Sequence, residues 1–379
     1  MNYIISAYNE ITVKWEHCKQ ITWLSQHFRK ITILLSMDEQ NSTVFQAFEW
    51  DIPADQQHWQ RLRRVLPQLS SIGVSSLWLP PACKAGSPRG NGYDVYDLYD
   101  LGEFEQKGSR STKWGSKEDL QALASDARRL GLGLIFDAVL NHRCGGDGME
   151  RVKVVEIDQD DRRKVVSKPY DVDAWLKFDF PGRHGAYSGM RYGWRQFNAT
   201  DWDHRTRKNA IFKIIDGGKD WAHDVDKTER GNADYLLLNN LDYTDKKLQD
   251  DVKQWGAWIV KELGLAGFRL DAIQHFSHKF SNEWMAHVQS KFNEPLFFVG
   301  EFWSGNVQLL THWLDASPAG LHLYDAPLLY NLARTSWSEK PNLSSIFDQT
   351  LVQARPQSAV TLVMNHDTQY STHSFTCRL

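Results

Sequence analysis

The sequence predicts an α/β fold: a parallel (β/α)8-type TIM barrel that carries a small β-rich domain after its third strand. Short apolar segments alternate with amphipathic helices, which is typical of a parallel sheet covered on both faces. Seven segments qualify as strands and no G-x-G-x-x-G motif is present, so a barrel is favoured over a doubly wound nucleotide-binding sheet. The alternation is interrupted between residues 143 and 243, where the insertion falls.

Clear helix and strand signals mark the first half of the barrel. Strands are predicted over residues 44–50 and 76–79. Between them, apolar residues spaced by three and four positions predict a helix whose buried face consists of Trp59, Leu62, Val65, Leu66 and Leu69. Ser116 opens the next helix as an N-cap, Gly131 ends it, and a buried strand follows over residues 132–139.

The same pattern returns after the insertion. A helix that ends at Gly264 has an apolar face consisting of Leu248, Val252, Trp255, Ile259 and Leu263. Another helix begins near Ser281. The last four strands are predicted over residues 267–271, 295–301, 321–326 and 359–364.

The predicted organisation has four parts. Residues 1–40 show weak periodicity and are interpreted as an N-terminal extension. The barrel is assigned to residues 41–142 and 244–370, and the inserted domain to residues 143–243. Residues 371–379 form an atypical tail.

Composition excludes several classes of protein. The chain has 379 residues, a net charge of −3 and a sequence pI of about 6.5, which gives no electrostatic reason to expect a nucleic-acid or membrane partner. The sequence has neither an apolar run long enough to span a bilayer nor the order of a secretory signal. Cys18, Cys83, Cys144 and Cys377 lack C-x-x-C spacing, which argues against zinc. We therefore expect a cytoplasmic monomer.

Charged side chains end four of the predicted strands. Asp137 ends the third strand, Arg269 and Asp271 the fourth, Glu301 the fifth and Asp367 the last. In a β/α barrel these ends converge on one rim, where active sites lie. Each acid taken singly is more often a helix cap or part of a loop ion pair, but their occurrence at successive strand ends favours a shared site.

Carboxylates at one rim suit glycoside cleavage. One carboxylate attacks the anomeric carbon, and a protonated acid donates to the leaving oxygen. An uncharged glucan is compatible with the near-neutral chain. Aromatic residues make up 12% of the sequence and can offer ring faces to sugars, although most of them are expected in the core.

Four segments have the order and context of the four motifs of the α-amylase family, glycoside hydrolase family 13. They are DAVLNH at 137–142, GFRLDAIQH at 267–275, VGEF at 299–302 and MNHDT at 364–368. Three further segments resemble the liquefying, bacterial-type α-amylases: 92–104, 180–183 and 200–202. The resemblance covers about residues 43–369.

This resemblance implies a role for each matching residue. Asp271 resembles the nucleophile, Glu301 the general acid and base, and Asp367 the third carboxylate, which binds sugar hydroxyls. Arg269 would bind at the same subsite and keep Asp271 ionised, and Asp137 would hold Arg269. The other substrate-binding residues implied are Tyr93, His142, His275 and His366.

The resemblance also implies calcium between the barrel and the insertion. The implied ligands are Asn141, Asp234, Asn240 and the carbonyl of His275. A second metal cluster would map to Asn198, Asp220, Asp242 and Thr244, where two carboxylates of the relatives are missing. We expect at most one calcium, and the alternative is that these residues only hydrogen-bond the domain boundary. Gln274 replaces a lysine usual in the subfamily, which leaves product preference open.

The family continues beyond the position of Gln369 with another helix, an eighth barrel strand and a β-sandwich domain. The residues after Gln369 match none of this. We therefore expect a C-terminally truncated form whose barrel lacks its last strand and helices and has two open sheet edges.

The sequence predicts retaining endo-hydrolysis of α-1,4-glucosidic bonds in starch, glycogen or maltooligosaccharides. One alternative is a 4-α-glucanotransferase that uses the same carboxylates. Another is a truncated, inactive glucan-binding protein. An isomerase or aldolase on another β/α barrel is disfavoured because the sequence shows neither a phosphate-binding loop nor a Schiff-base lysine.

Overall fold

The computed structural model describes residues 42–318 and 320–369, and the predicted N-terminal extension and tail lie outside them. The largest sheet consists of β1 Val44–Gln46, β2 Ser76–Trp78, β5 Gly133–Ala138, β12 Gly267–Leu270, β13 Phe297–Gly300, β14 Leu321–Tyr324 and β15 Ala359–Val360. These strands are neighbours in that order, and every pair is parallel. Their carboxyl ends therefore lie at one edge of a curled sheet.

Helices cover this sheet. They are α1 His58–Ser71, α2 Lys117–Arg129, α3 Lys246–Leu263, α4 His278–Gln289, α5 Val307–Asp315, α6 Ala326–Trp337 and the short α7 Leu351–Ala354. Ser116 is the N-cap of α2, and its hydroxyl oxygen accepts a hydrogen bond from the Asp119 N–H at 3.2 Å, as predicted. The alternation of parallel strands and helices confirms the predicted fold class.

Several predicted strands are longer than the strands observed. The apolar segment 359–364 pairs with β14 only at Ala359 and Val360 and then continues as a loop to Asp367. The segment 44–50 likewise leaves the sheet after Gln46. Beyond β1, Ala47 and Phe48 are buried, whereas beyond β15 Val363 and Met364 are exposed, so hydrophobicity alone does not mark the strand end.

A second sheet occupies the interval in which the alternation stops. Its strands are β6 His142–Arg143, β7 Gly148–Ile157, β8 Tyr170–Lys177, β9 Phe197–Asp203, β10 Lys208–Ile214 and β11 Asn239–Leu241. They are antiparallel in the order β6-β11-β9-β10-β7-β8, while β3 Lys84–Ala85 and β4 Val95–Asp97 form a separate pair. On β8, Val172, Ala174 and Leu176 are buried, as expected for a sheet with one covered face.

An aromatic layer fixes the middle of the parallel sheet. Trp255 of α3 and Trp284 of α4 are fully buried and pack on Phe268 of β12, with ring centroids 6.4 and 5.0 Å from it. Phe298, the register partner of Phe268 on β13, stacks on it at 6.0 Å and also contacts Trp284 at 6.3 Å. Because this strand leads directly to Asp271, the layer also positions the rim. None of the helices described here is long and apolar enough to cross a membrane.

The helix ends provide a test of this packing. Gly264 after α3 and Gly131 after α2 both have left-handed φ angles, of 64° and 71°. A Cβ at Gly264 would lie 1.9 Å from Nη2 of Arg128, which donates to the Leu263 carbonyl at 3.2 Å, whereas a Cβ at Gly131 meets nothing within 4 Å.

We expect Gly131→Ala to cost about 1 kcal/mol of unfolding free energy through backbone strain. Gly264→Ala should cost about 1 kcal/mol more, because Arg128 must also move. Equal losses in urea unfolding would contradict this reading.

Candidate active site

Arg269 lies at the centre of a carboxylate cluster at the ends of β5, β12 and β13. The residue is fully buried. Its Nη1 atom lies 2.8 Å from Oδ1 of Asp137 and 2.5 Å from Oδ1 of Asp271, and its Nη2 atom lies 2.7 Å from Oε1 of Glu301. In the sheet, Arg269 is directly opposite Asp137. The structure therefore brings together four of the strand-end residues that the sequence predicted to meet.

Two N–H donors hold the Glu301 carboxyl group. Trp303 donates from Nε1 to Oε1 at 2.7 Å, and the Ala272 N–H donates to Oε2 at 3.0 Å. Glu301 is buried but faces the cleft. Its orientation is fixed before any substrate arrives, which is the condition for efficient proton transfer.

Asp367 reaches the same cleft on the loop after β15. Its Oδ2 atom lies 3.3 Å from Nε2 of His366, and 44% of its side chain is exposed. The His366 ring is almost parallel to the rings of Tyr93 and Trp50, with centroids 5.0 and 5.9 Å away, and it also contacts Phe48 at 5.0 Å. These rings connect the loops that follow β1 and β15, and so position Asp367.

The cleft has a volume of about 890 Å³ and contains all three predicted catalytic carboxylates. The four residues predicted to bind substrate through rings or imidazoles also line it: Tyr93, His142, His275 and His366. Arg269, which was predicted to bind substrate as well, lies behind the lining with its guanidinium covered by carboxylates. Its contacts are therefore with the acids.

Burial raises the pKa of these carboxyl groups, and the neighbouring charges shift it further up or back down. Burial raises the pKa of Asp271 well above its usual range, and the Arg269 guanidinium opposes that shift. Burial and the neighbouring Glu301 raise the pKa of Asp367 to about 7, and a hydrogen bond with Glu301 contributes. With Asp137, four carboxyl groups surround one guanidinium. Because like charges disfavour full ionisation, this grouping favours the protonated form of Asp367.

The imidazoles of the cleft are uncharged. Burial lowers the pKa of His142 to about 4 and that of His366 to about 2. His142 donates through Nε2 to the Tyr93 carbonyl at 2.7 Å, and Nδ1 of His275 donates to the Ala233 carbonyl at 2.6 Å. Neutral donors and acceptors of this kind suit the hydroxyl groups of a sugar.

The residues of the expected calcium site converge beside the cleft. Nδ2 of Asn141 donates to the His275 carbonyl oxygen at 2.6 Å, to Oδ1 of Asn240 at 3.2 Å and to the Asp234 carbonyl oxygen at 3.5 Å. Oδ1 of the Asn141 amide faces Nδ1 of His142 at 3.1 Å.

The hydrogen bonds of His142 favour the opposite orientation of this amide. The ring uses its Nε2–H for the Tyr93 carbonyl, so in the neutral imidazole Nδ1 is an acceptor and faces the Asn141 amide oxygen with no proton between them. Turning the amide over would donate its N–H to Nδ1 and place its oxygen beside the oxygens of His275, Asn240 and Asp234. Such a group of oxygen atoms fits a cation such as calcium.

The second set of expected metal ligands does not fit. Lys219 is ion-paired with Asp242, and Nζ of Lys213 lies 2.9 Å from Oδ1 of Asp220. Thr244 donates its hydroxyl to Asp242 at 2.6 Å. Across the residues that the structure describes, no group of three or more His, Cys, Asp or Glu side chains is arranged to hold a metal.

Three aromatic residues of the site were not predicted from the sequence. Trp50 and Trp303 line the cleft, and Trp78 donates from Nε1 to Oδ2 of Asp137 at 2.9 Å. Their common signal is position: each stands at, or two to four residues past, the end of a barrel strand. Tryptophan at such a position is also typical of core packing, so the pattern alone does not distinguish the two uses.

Comparison with known proteins identifies the family. The model of the α-amylase catalytic domain matches residues 54–377. A glucan 1,4-α-maltohexaosidase from Bacillus sp. strain 707 is 40% identical over 331 residues, which cover 87% of this chain and 64% of that protein. The cytoplasmic α-amylase of Escherichia coli K12 is 37% identical over 333 residues, which cover 87% and 67% of the two chains. The chain therefore belongs to the α-amylase family.

Solved structures show the same fold. The crystal structure of an Anoxybacillus α-amylase matches with a TM-score of 0.56 at 17% identity, covering 87% of this chain and 62% of that one. The chain thus spans a little under two thirds of the length of several relatives that it matches. The family and the fold follow from these matches.

Removal of the central cation tests the cluster. Arg269→Met leaves buried carboxylates without a counter-charge, and we expect it to lower the free energy of unfolding by about 3–5 kcal/mol near pH 7.5. The loss should shrink at about pH 5, because the buried carboxyls, whose pKa values the substitution raises further, then carry protons. Urea unfolding at both pH values measures this.

Arg151→Met is the matched control. Arg151 pairs with Asp173 at 2.7 Å, but its side chain is 62% exposed. Its replacement should cost less than about 1 kcal/mol at either pH. A pH-independent loss in Arg269→Met would contradict the charge assignment of the cluster.

Proposed function

We propose that the chain is the catalytic part of a retaining endo-hydrolase of α-1,4-glucosidic bonds, acting on starch, glycogen or maltooligosaccharides. The observation that carries this proposal is the meeting of Asp271, Glu301 and Asp367 in one cleft, with Arg269 bridging the first two. The names of two relatives, the maltohexaosidase of Bacillus sp. strain 707 and the α-amylase of Bacillus licheniformis, support an α-1,4-glucan as substrate.

Asp271 and Glu301 divide the chemistry. Asp271 attacks the anomeric carbon through a carboxylate oxygen, while Glu301 protonates the departing glycosidic oxygen. A covalent glycosyl-enzyme forms, and the leaving chain departs with the proton. Glu301 then takes a proton from water, whose oxygen attacks the same carbon and releases Asp271. Two displacements at one carbon retain its configuration.

The other residues of the cleft position the sugar. The Tyr93 ring offers a flat face to the glucose unit beside Asp271, and Trp50 extends this aromatic surface. Asp367 and His366 bind its hydroxyl groups, and these bonds tighten as the ring flattens toward the transition state. His142 lines the same cleft, but its Nε2 already donates to the Tyr93 carbonyl and its Nδ1 faces the Asn141 amide, so it must exchange one of these partners to bind a hydroxyl. Arg269 favours the ionised form of Asp271, which is the form that attacks.

One calcium ion is part of the proposal. Asn141, Asn240, Asp234 and the His275 carbonyl would hold it, at the point where β6 and β11 join the barrel. It would supply a structural cross-link beside the cleft and takes no part in bond cleavage.

The proposed setting of the chain is the cytoplasm. The E. coli relative is named a cytoplasmic α-amylase, which supports a cytoplasmic location for this chain. A net charge of −3 fits a monomer that binds neutral glucan and has neither a nucleic-acid nor a membrane partner.

Substitution of the two reacting carboxyls tests the function. Asp271→Asn removes the attacking charge and Glu301→Gln removes the proton donor, so each should lower kcat on soluble starch by at least about 10⁴-fold. Glu294→Gln, at an exposed loop position, is the control and should leave kcat unchanged. Reducing-end release and chromatography of the products measure turnover. Oligomers longer than the substrate would instead indicate a glucanotransferase, and full turnover by either variant would refute the proposal.

Calcium binding is tested at Asn240. The Asn240→Asp variant adds a carboxylate to a site whose other charged side chain is Asp234, and we expect about a tenfold lower Kd for calcium in titration calorimetry after chelator treatment. Asn209→Asp, at an exposed position near the start of β10, should leave the Kd unchanged. Absence of binding in both the wild type and Asn240→Asp would exclude calcium at this position.

A further inference from the structure

We propose that the ammonium group of Lys219 takes the place of a second metal ion between the inserted sheet and the barrel. The resemblance to the family places a metal cluster at Asn198, Asp220, Asp242 and Thr244. Two of these side chains, Asp220 and Asp242, are ion-paired with lysines. The inference is that the ammonium group of Lys219, a cation attached to the chain itself, makes the cross-link.

Lys219 joins two segments that are distant in sequence. Its Nζ atom is ion-paired with Asp242 and donates to the Arg195 carbonyl at 2.7 Å. Arg195 lies in the single helical turn Trp194–Gln196 that leads into β9, and Asp242 follows β11 on the way to α3. The same two segments are bonded by the Asp242 N–H to the Gln196 carbonyl at 2.8 Å. The ammonium therefore lies where the chain returns from the inserted sheet to the barrel.

The lysine contact is sheltered from solvent. Only 12% of the Lys219 side chain and 5% of the Asp242 side chain are exposed. An ion pair in such surroundings is screened far less than one on the surface, so it contributes more to holding its segments together. Removing one partner leaves a charge buried without compensation.

Both carboxylate oxygens of Asp242 already have donors. Oδ1 of Asp242 accepts from the N–H and hydroxyl of Thr244 at 3.0 and 2.6 Å, and Oδ2 accepts from Lys219. Asp220 is held by Lys213 and has 57% of its side chain exposed. Calcium needs six to eight oxygens, several of them carboxylates, and the amide of Asn198 adds no charge. A lysine ammonium carries one positive charge and three N–H donors, so it can be satisfied by the few oxygen atoms present here.

A difference in behaviour follows from the exchange. A metal ion leaves when a chelator removes it, whereas the ammonium stays at any calcium concentration. The cross-link at Asp242 should therefore persist in chelator, and only the site around Asn141 should respond to calcium.

The experiment compares Lys219→Met with Lys213→Met by thermal unfolding and by calcium stoichiometry from atomic emission. Lys213 is the matched control because it lies six residues away and pairs with the exposed Asp220. We expect Lys219→Met to lower Tm by about 5–10 °C, with the loss unchanged by added calcium, and Lys213→Met to lower it by less than about 3 °C. Lys219→Arg keeps the charge and should recover at least half of the loss, which separates lost charge from lost packing.

A triple variant tests whether a metal ion can replace the lysine ammonium. Lys219→Met together with Asn198→Asp and Thr244→Asp replaces the ammonium by two carboxylates, and it should bind one more calcium per chain than the wild type and become sensitive to EDTA. The inference is overturned if the wild type itself binds two calcium ions per chain, or if Lys219→Met keeps the wild-type Tm in EDTA. These readouts do not depend on turnover, so loss of hydrolytic activity would leave them unaffected.

Discussion

The buried guanidinium of Arg269 is the constraint on which the site depends. It reaches Asp137, Asp271 and Glu301, which stand on three neighbouring parallel strands. Without its charge, these carboxyls could not gather in a dry rim, because like charges in a low dielectric repel strongly. The register of the sheet follows from this: a one-residue slip of β12 would turn Arg269 to the opposite face and leave the acids unpaired.

Asp367 is positioned differently, since the strand that precedes it pairs over only two residues. Its loop is held by rings: His366 lies against Tyr93, Trp50 and Phe48, and Gln369 donates from Nε2 to Oε2 of Glu49 at 3.4 Å. The loops after β1 and β15 thus meet at the rim, although these two strands do not pair with each other in the part of the chain described. Asp367 is therefore positioned by the packing of aromatic rings, whereas Asp271 and Glu301 are positioned by the hydrogen bonds of the parallel sheet.

Much of the fold and the central acids could be predicted from the sequence, because strand ends and helix caps are local signals. Asp271 and Glu301 directly follow short apolar runs, and the glycine after α3 ends that helix because its left-handed backbone favours glycine. The partners of the acids could not be predicted in the same way. Trp303 reaches Glu301 because of how a loop turns, and Lys219 reaches residues 23 and 24 positions away across two segments. Such contacts depend on the three-dimensional path of loops, which carries no periodic signal.

The central claim is that Asp271 is the group that forms a bond to sugar. Glu301→Gln can be treated with α-maltotriosyl fluoride, whose fluoride leaves without an acid, so the first displacement proceeds while the second, which needs a base, is slow. After rapid acid quenching and proteolysis, mass spectrometry locates the added maltotriosyl group. We predict that it is attached to the peptide containing Asp271, through the side-chain carboxyl. Attachment to any other residue, or release of β-configured product with no adduct formed, would contradict this account.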